Sequence, residues 1–140
     1  MARYLLDTNI VAFIISGEYD RISADVAMIL DDYASQQYVS SVSVVELLQL
    51  YRIKKIFPKN VKRATEIIDI IEKDLHIEIL PFTKQHTNTL SILQIADRHN
   101  DPFDHAIISH AITEKLTLVS SDRKFEDYTT QKLKFVFNRR

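Results

Sequence analysis

Cysteine is absent from the chain, and glycine occurs once, as Gly17. Without thiols there is no disulfide framework, no thiolate zinc site and no cysteine nucleophile. A dinucleotide fingerprint or a phosphate-cradling loop needs several glycines close together, so both are excluded as well. An excess of one charge is lacking too. The 18 Lys and Arg against 19 Asp and Glu leave a net charge of -1 and no global basic field to draw in nucleic acid. No apolar run approaches the length of a membrane span. Asp7, Thr8 and Asn9 interrupt the first apolar stretch, and no small-residue cleavage site follows. The expectation is a cytoplasmic protein without a signal peptide.

What is present is the composition of an ordinary folded domain, 46% hydrophobic and 26% charged over 140 residues. That is enough for one core, and no linker or repeat divides the chain, so residues 1–140 are expected to form one domain. Residues 3–6 read as a short buried strand ending at Asp7. Ile22, Val26, Ile29, Leu30 and Tyr33 predict a helix from Arg21 to Ala34. Tyr38 to Ser40 reads as a second strand. A helix opened by Ser43 follows, carrying Val44, Leu47, Leu48 and Tyr51. The stripe from Val61 to Leu75 predicts another helix, and Ile77 to Leu80 a third strand. Thr83 can cap a helix to Asp97, and Asp101-Pro102 has the form of a cap followed by proline at the first helical position. Leu116 to Val119 and Lys134 to Phe137 complete the strands. Apolar strands alternating with helices predict an α/β fold with a mostly parallel sheet covered on both faces.

In such sheets ligands sit beyond the carboxyl ends of the strands. Asp7 and Asp122 occupy that position, and Glu46 and Asp104 fall in the first turns of helices. Each acid also has a plain structural reading. Ser43-x-x-Glu46 matches a capping box, Asp104 suits a helix dipole, and Asp7, Asp101 and Asp122 can each be an N-cap. Asp7 is the hardest to explain this way, because an unpaired charge after a central strand is costly. Gathered carboxylates raise one another's pKa unless a cation holds them, and oxygen-only ligands point to Mg²⁺ or Mn²⁺. His105 and His110, five residues apart, fall on different faces of their helix, and His110 reads as a hydrogen-bonded, partly buried side chain.

Four segments in order, Tyr4-Leu5-Leu6-Asp7-Thr8-Asn9-Ile10, Ser41-Val42-Ser43-Val44-Val45-Glu46-Leu47, Asp101-Pro102-Phe103-Asp104 and Leu118-Val119-Ser120-Ser121-Asp122, together resemble the PIN-domain family. The likeness is greatest to the toxin ribonucleases of bacterial VapBC toxin–antitoxin pairs. It implies a three-layer α/β/α fold and a metal-dependent RNA endonuclease using Mg²⁺, with Mn²⁺ as a substitute. By position, Asp7, Glu46, Asp104 and Asp122 become the acidic quartet. Asp7 and Asp104 are expected to hold the principal metal, with Glu46 and Asp122 completing the site. Thr8 and Asn9 would orient Asp7 or water, Asp101 would be an auxiliary acid, and Ser121 fills the polar position before the last Asp. His105 stands where many relatives have Arg, and Ser109-His110 replaces a common Ala-Gln pair.

The resemblance further implies an RNA substrate (a tRNA or rRNA), a cognate antitoxin and a homodimer. Arg52, Lys54, Lys55, Lys59, Lys62 and Arg63 place six cations within twelve positions, read either as a solvated loop or as a patch for RNA phosphates. Two rivals stand beside the nuclease. A phosphatase with Asp7 as nucleophile usually has a second Asp two residues on, where this chain has Asn9. A catalytically silent PIN-like module would bind RNA or a partner without cutting.

Overall fold

Parallel pairing places β1 (Arg3–Leu6) at the centre of a five-stranded sheet in a computed structural model that describes residues 1–139. β2 (Gln36–Ser40) lies on one side of β1 and β4 (Thr117–Ser120) on the other, with β3 (Glu78–Leu80) and β5 (Lys134–Phe137) at the edges. All four pairings are parallel. The helices are α1 (Thr8–Ile15), α2 (Ala24–Asp31), α3 (Ser41–Arg52), α4 (Thr65–Asp69), α5 (Lys84–Ile92) and α6 (Pro102–Glu114).

Strand side chains alternate between two apolar layers, which explains the unbroken hydrophobic runs. Leu5, Tyr38 and Leu118 point to the layer of Ile107, Ile108 and Ala111 from α6. Leu6, Val39 and Val119 point to the other, packed by Ile10, Val11 and Ile14 of α1, Val44 and Leu47 of α3, and Ile67 and Ile71. The sheet between two helical layers is the expected three-layer α/β/α arrangement. No helix among the described residues is long and apolar enough to cross a membrane.

Three predicted helices come out shorter. The one expected from Arg21 is interrupted at Ile22 and Ser23, whose backbone is extended. Asn138 causes the break: its Oδ1 accepts the Ser23 amide at 2.7 Å and its Nδ2 donates to the Arg21 carbonyl at 2.9 Å. The stripe from Val61 forms regular α-helix over Thr65–Asp69 only, then widens into a π-helical turn at Ile70–Asp74. Ile67 and Ile71 are still fully buried, so the stripe named the right face with the wrong winding. α5 ends at Ile92, and an irregular segment carries the chain to the Asp101 cap. The proline step is as expected: Asp101 accepts the Phe103 amide and Pro102 takes the first position of α6.

Candidate metal centre

β1 delivers Asp7 to the carboxyl edge of the sheet, where its amide still donates to the Val119 carbonyl at 2.9 Å. The side chain then caps α1, Oδ1 accepting from the Thr8 amide at 2.8 Å. Oδ2 accepts from Ser120 Oγ at 2.7 Å and from Asn9 Nδ2 at 3.3 Å. Asp7 is therefore both a cap and a buried acid, 4% exposed. Burial pushes its pKa up to about 7; the Ser120 and Thr8 hydrogen bonds oppose that rise, and the charges of Asp104 and Glu46 add to it.

Glu46 does not form the capping box that its spacing from Ser43 suggests. α3 starts earlier, capped by Ser40, whose Oγ accepts the Val42 amide at 3.1 Å, and the buried Ser43 hydroxyl has no hydrogen-bond partner. Released from the helix end, Glu46 accepts a 2.6 Å hydrogen bond from Thr8 Oγ1. Its pKa is raised by burial first and by Asp101 and Asp104 after that. Asp104, in the first turn of α6, is raised for the same leading reason, with Asp101 and Asp122 adding to it. Asp122 follows β4 and caps the 3-10 helix Arg123–Gln131 by accepting the Lys124 amide at 3.0 Å.

These four acids line one open cavity of about 230 Å³ together with Thr8, Asn9, Leu50 and Asp101. Their donors come from four separate stretches of chain, so local helix chemistry alone does not account for their meeting. Ser121 fills the polar position before Asp122. Its hydroxyl accepts from Asn138 Nδ2 at 2.8 Å, and it is Ser120 that touches Asp7. The register explains the Ser120–Asp7 contact: Leu6 pairs with Val119, so the residues that follow them, Asp7 and Ser120, come side by side. Asn9 braces the same corner, donating to Ser120 Oγ at 3.2 Å and accepting the Ser121 amide at 3.2 Å.

Sequence reasoning missed His99. It is 2% exposed and lies 3.0 Å from Asp104 Oδ2 through Nε2 and 2.7 Å from the Tyr128 hydroxyl through Nδ1. The Tyr128 oxygen already accepts the Ala96 amide at 3.0 Å, so its proton goes to Nδ1 and leaves Nε2–H to donate to Asp104. His105 bonds the His99 carbonyl at 2.8 Å instead of entering the cavity. The basic residues are elsewhere: Arg52 ends α3, Lys54, Lys55, Lys59, Lys62 and Arg63 follow it, and none lines the acidic cavity.

The PIN domain family model matches residues 4–130. The chain belongs to the PIN-domain family. No curated protein sequence matches it. Among solved structures, VapBC2 from Rickettsia felis bound to a promoter DNA fragment is similar with a TM-score of 0.67 at 24% identity, covering 97% of this chain and 98% of that one. DNA-bound VapBC from Salmonella typhimurium gives 0.62 at 18%, covering 98% of each chain. FitAcB from Neisseria gonorrhoeae gives 0.62 at 21%, covering 96% of each. These likenesses run the length of the PIN fold and leave the chemistry to be argued from the cavity.

Proposed function

We propose that the protein is a divalent-metal-dependent endoribonuclease, the toxin of a VapBC-type pair. The observation that carries the reading is the convergence of Asp7, Glu46, Asp104 and Asp122 on one cavity, with Asp7 buried and its carboxyl held near neutrality. Asp7, Glu46 and Asp104, each held back from ionising by burial first and by neighbouring carboxylates after that, fit a cation that offsets both; hard oxygen donors without sulfur suit Mg²⁺ or Mn²⁺. Asp7 and Asp104 would hold it, with Glu46 and Asp122 completing the set. A divalent ion there supplies charge to bind a phosphodiester, to activate a water and to stabilise the leaving oxygen.

The rest is done by the chain. Ser120, Thr8 and Asn9 fix both Asp7 oxygens, Thr8 steers Glu46, and His99 holds one Asp104 oxygen so that the other faces the cavity. Asp101 caps α6 at the rim and adds negative charge beside Glu46 and Asp104. The cations from Arg52 to Arg63 would contact RNA phosphates away from the cut. An antitoxin partner is supported by the toxin–antitoxin complex from Klebsiella pneumoniae and the VapBC structures among those similar in fold. RNA over DNA, a cytoplasmic setting and a homodimer are carried over from the family resemblance alone. Val45, exposed on α3, would lie in the dimer contact.

The test is purified protein, free of antitoxin, with labelled structured RNAs. Cleavage that needs Mg²⁺ and is lost with EDTA or Asp7→Asn supports the nuclease. Intact RNA, with binding retained, would leave a silent RNA-binding module instead. Growth arrest on expression, relieved by a small adjacent antitoxin gene, supports the toxin role separately.

A further inference from the structure

On the same helix as Asp104, but six residues further along and so about 9 Å away, α6 presses a second set of ionisable side chains against α5. His86 of α5 and His110 of α6 are 2% and 0% exposed, with ring centroids 4.0 Å apart. Glu114, one turn beyond His110, places Oε2 2.7 Å from His86 Nε2. One ligand atom of each of the three lies within 4.8 Å of the others. His110 Nδ1 meets Ser40 Oγ at 2.9 Å, but its Nε2 is buried with no hydrogen-bond partner. A buried polar atom left so is costly and signals a missing partner. The Glu114 side chain, 36% exposed, opens the cluster to solvent.

We propose that His86, His110 and Glu114 form a binding site for a zinc-class transition-metal dication, separate from the carboxylate centre. Two imidazoles and one carboxylate are the donor set of many zinc sites, and three protein ligands leave a position for water. Imidazole donors select Zn²⁺, Co²⁺, Ni²⁺ or Cu²⁺ over Mg²⁺, so the two centres sort their ions by chemistry. Bond lengths of about 2.0–2.2 Å bring tetrahedral ligand atoms to about 3.4 Å from one another. The 2.7 Å His86–Glu114 contact therefore opens slightly, through rotation of the partly exposed Glu114.

His86 also changes tautomer. Its Nδ1 accepts the Thr83 amide at 2.8 Å, so the proton sits on Nε2, shared with Glu114. Metal at Nε2 leaves that proton on Nδ1, which then donates to Thr83 Oγ1 at 3.0 Å, and the Thr83 amide gives up its hydrogen bond to the ring and turns to solvent. The ion then clasps α5 to α6. Through His110 and Ser40 it also braces the cap of α3, so it stiffens both helices that carry cavity acids, Glu46 and Asp104.

Metal-stripped full-length protein is equilibrated with Zn²⁺ in excess Mg²⁺, desalted, and its zinc counted. Wild type and Asp7→Asn are expected to retain about one zinc per chain, and His110→Gln and Glu114→Gln to bind about tenfold more weakly or worse. Co²⁺ substituted for zinc should give the visible bands of a nitrogen-ligated, low-coordinate ion in wild type and lose them in His110→Gln. Absence of retained zinc in wild type, undiminished retention in both cluster variants, or loss in Asp7→Asn overturns the site. Circular dichroism checks folding; if His110→Gln does not fold, the partly exposed Glu114→Gln decides.

Discussion

The hydroxyl of Ser120 donates to Asp7 Oδ2 across 2.7 Å between adjacent central strands, yet the Asp7 carboxyl still titrates near neutrality. Burial outweighs the hydrogen bonds, so the metal-free fold carries its site as a stored electrostatic cost. That cost has a sign. Asp7 binds its proton more tightly folded, with a pKa of about 7, than unfolded, at 3.8. Its contribution is fully present below the unfolded value and is lost as pH rises through the folded one. Metal-free protein should therefore lose up to about 4 kcal/mol between pH 4 and pH 8 from this group. Asp7→Asn should flatten the slope and be the more stable protein at pH 8, as read from urea midpoints across pH.

His110 works in the opposite direction. Burial holds its pKa down to about 4 from 6.5, so its contribution is present above pH 6.5 and is lost as pH falls toward 4. The two groups oppose each other in that lower window, and above it the Asp7 slope stands without His110. In a His110→Gln background the metal-free protein should gain more stability on acidification from pH 6.5 to 4.5 than wild type does. Equal gains in the two proteins would mean that His110 is not held neutral by the fold.

Divalent ions and protons should compete at Asp7. Apparent Mg²⁺ affinity, measured by calorimetry without RNA, is expected to rise about tenfold per pH unit below pH 7 and to level off above it. Asp7→Asn should bind weakly and with a shallower dependence, left by Glu46 and Asp104. Because no substrate is present, this readout separates a failed metal site from a failed choice of RNA.

Much of this site was legible in the chain because its acids sit where secondary structure changes: Asp7 after an apolar run, Asp104 after Asp101-Pro102, Asp122 after Leu118-Val119. Those places are set by local chemistry, and a sequence displays local chemistry directly. Ser120 was obscured because Ser120 and Ser121 are identical in type, and only strand register decides which faces Asp7. His99 lies in an irregular segment with no periodicity to mark a face, and its partner Tyr128 is 29 residues away. Asn138 broke a helix predicted 115 residues earlier at Ser23. The helical stripe of residues 61–75 placed Ile67 and Ile71 correctly, since burial follows hydrophobicity even where the winding loosens to a π turn.

The chain from Tyr128 through His99 to Asp104 has a fixed donor order, so its loss should be felt at the metal. His99→Gln keeps a polar side chain but loses the ring that spans both partners. Mg²⁺ affinity is expected to fall about 10–100-fold, with the fold intact by circular dichroism. Tyr128→Phe should cost about 1–3 kcal/mol of stability, because the partly buried Ala96 amide and the buried His99 Nδ1 both lose a partner. Unchanged Mg²⁺ affinity in both variants would reduce His99 to a packing residue.

Thr8 and Glu46 give the sharpest test of whether α1 tunes the site. The Glu46 pKa is raised by burial and pulled back by the 2.6 Å hydrogen bond from Thr8 Oγ1. Thr8→Val keeps the branched shape and removes the donor, so Glu46 should titrate at higher pH than in wild type. Thr8→Ser restores the donor and should return it. Carbon-detected NMR of the Glu carboxyls in metal-free Asp7→Asn protein reads this without activity and without interference from the Asp7 titration. If the nuclease reading holds, the acidic limb of the Mg²⁺-dependent cleavage profile should move the same way, upward in Thr8→Val and back in Thr8→Ser. A Glu46 titration that ignores Thr8→Val would show the hydroxyl to be a passive contact, with α1 contributing only the Asp7 cap.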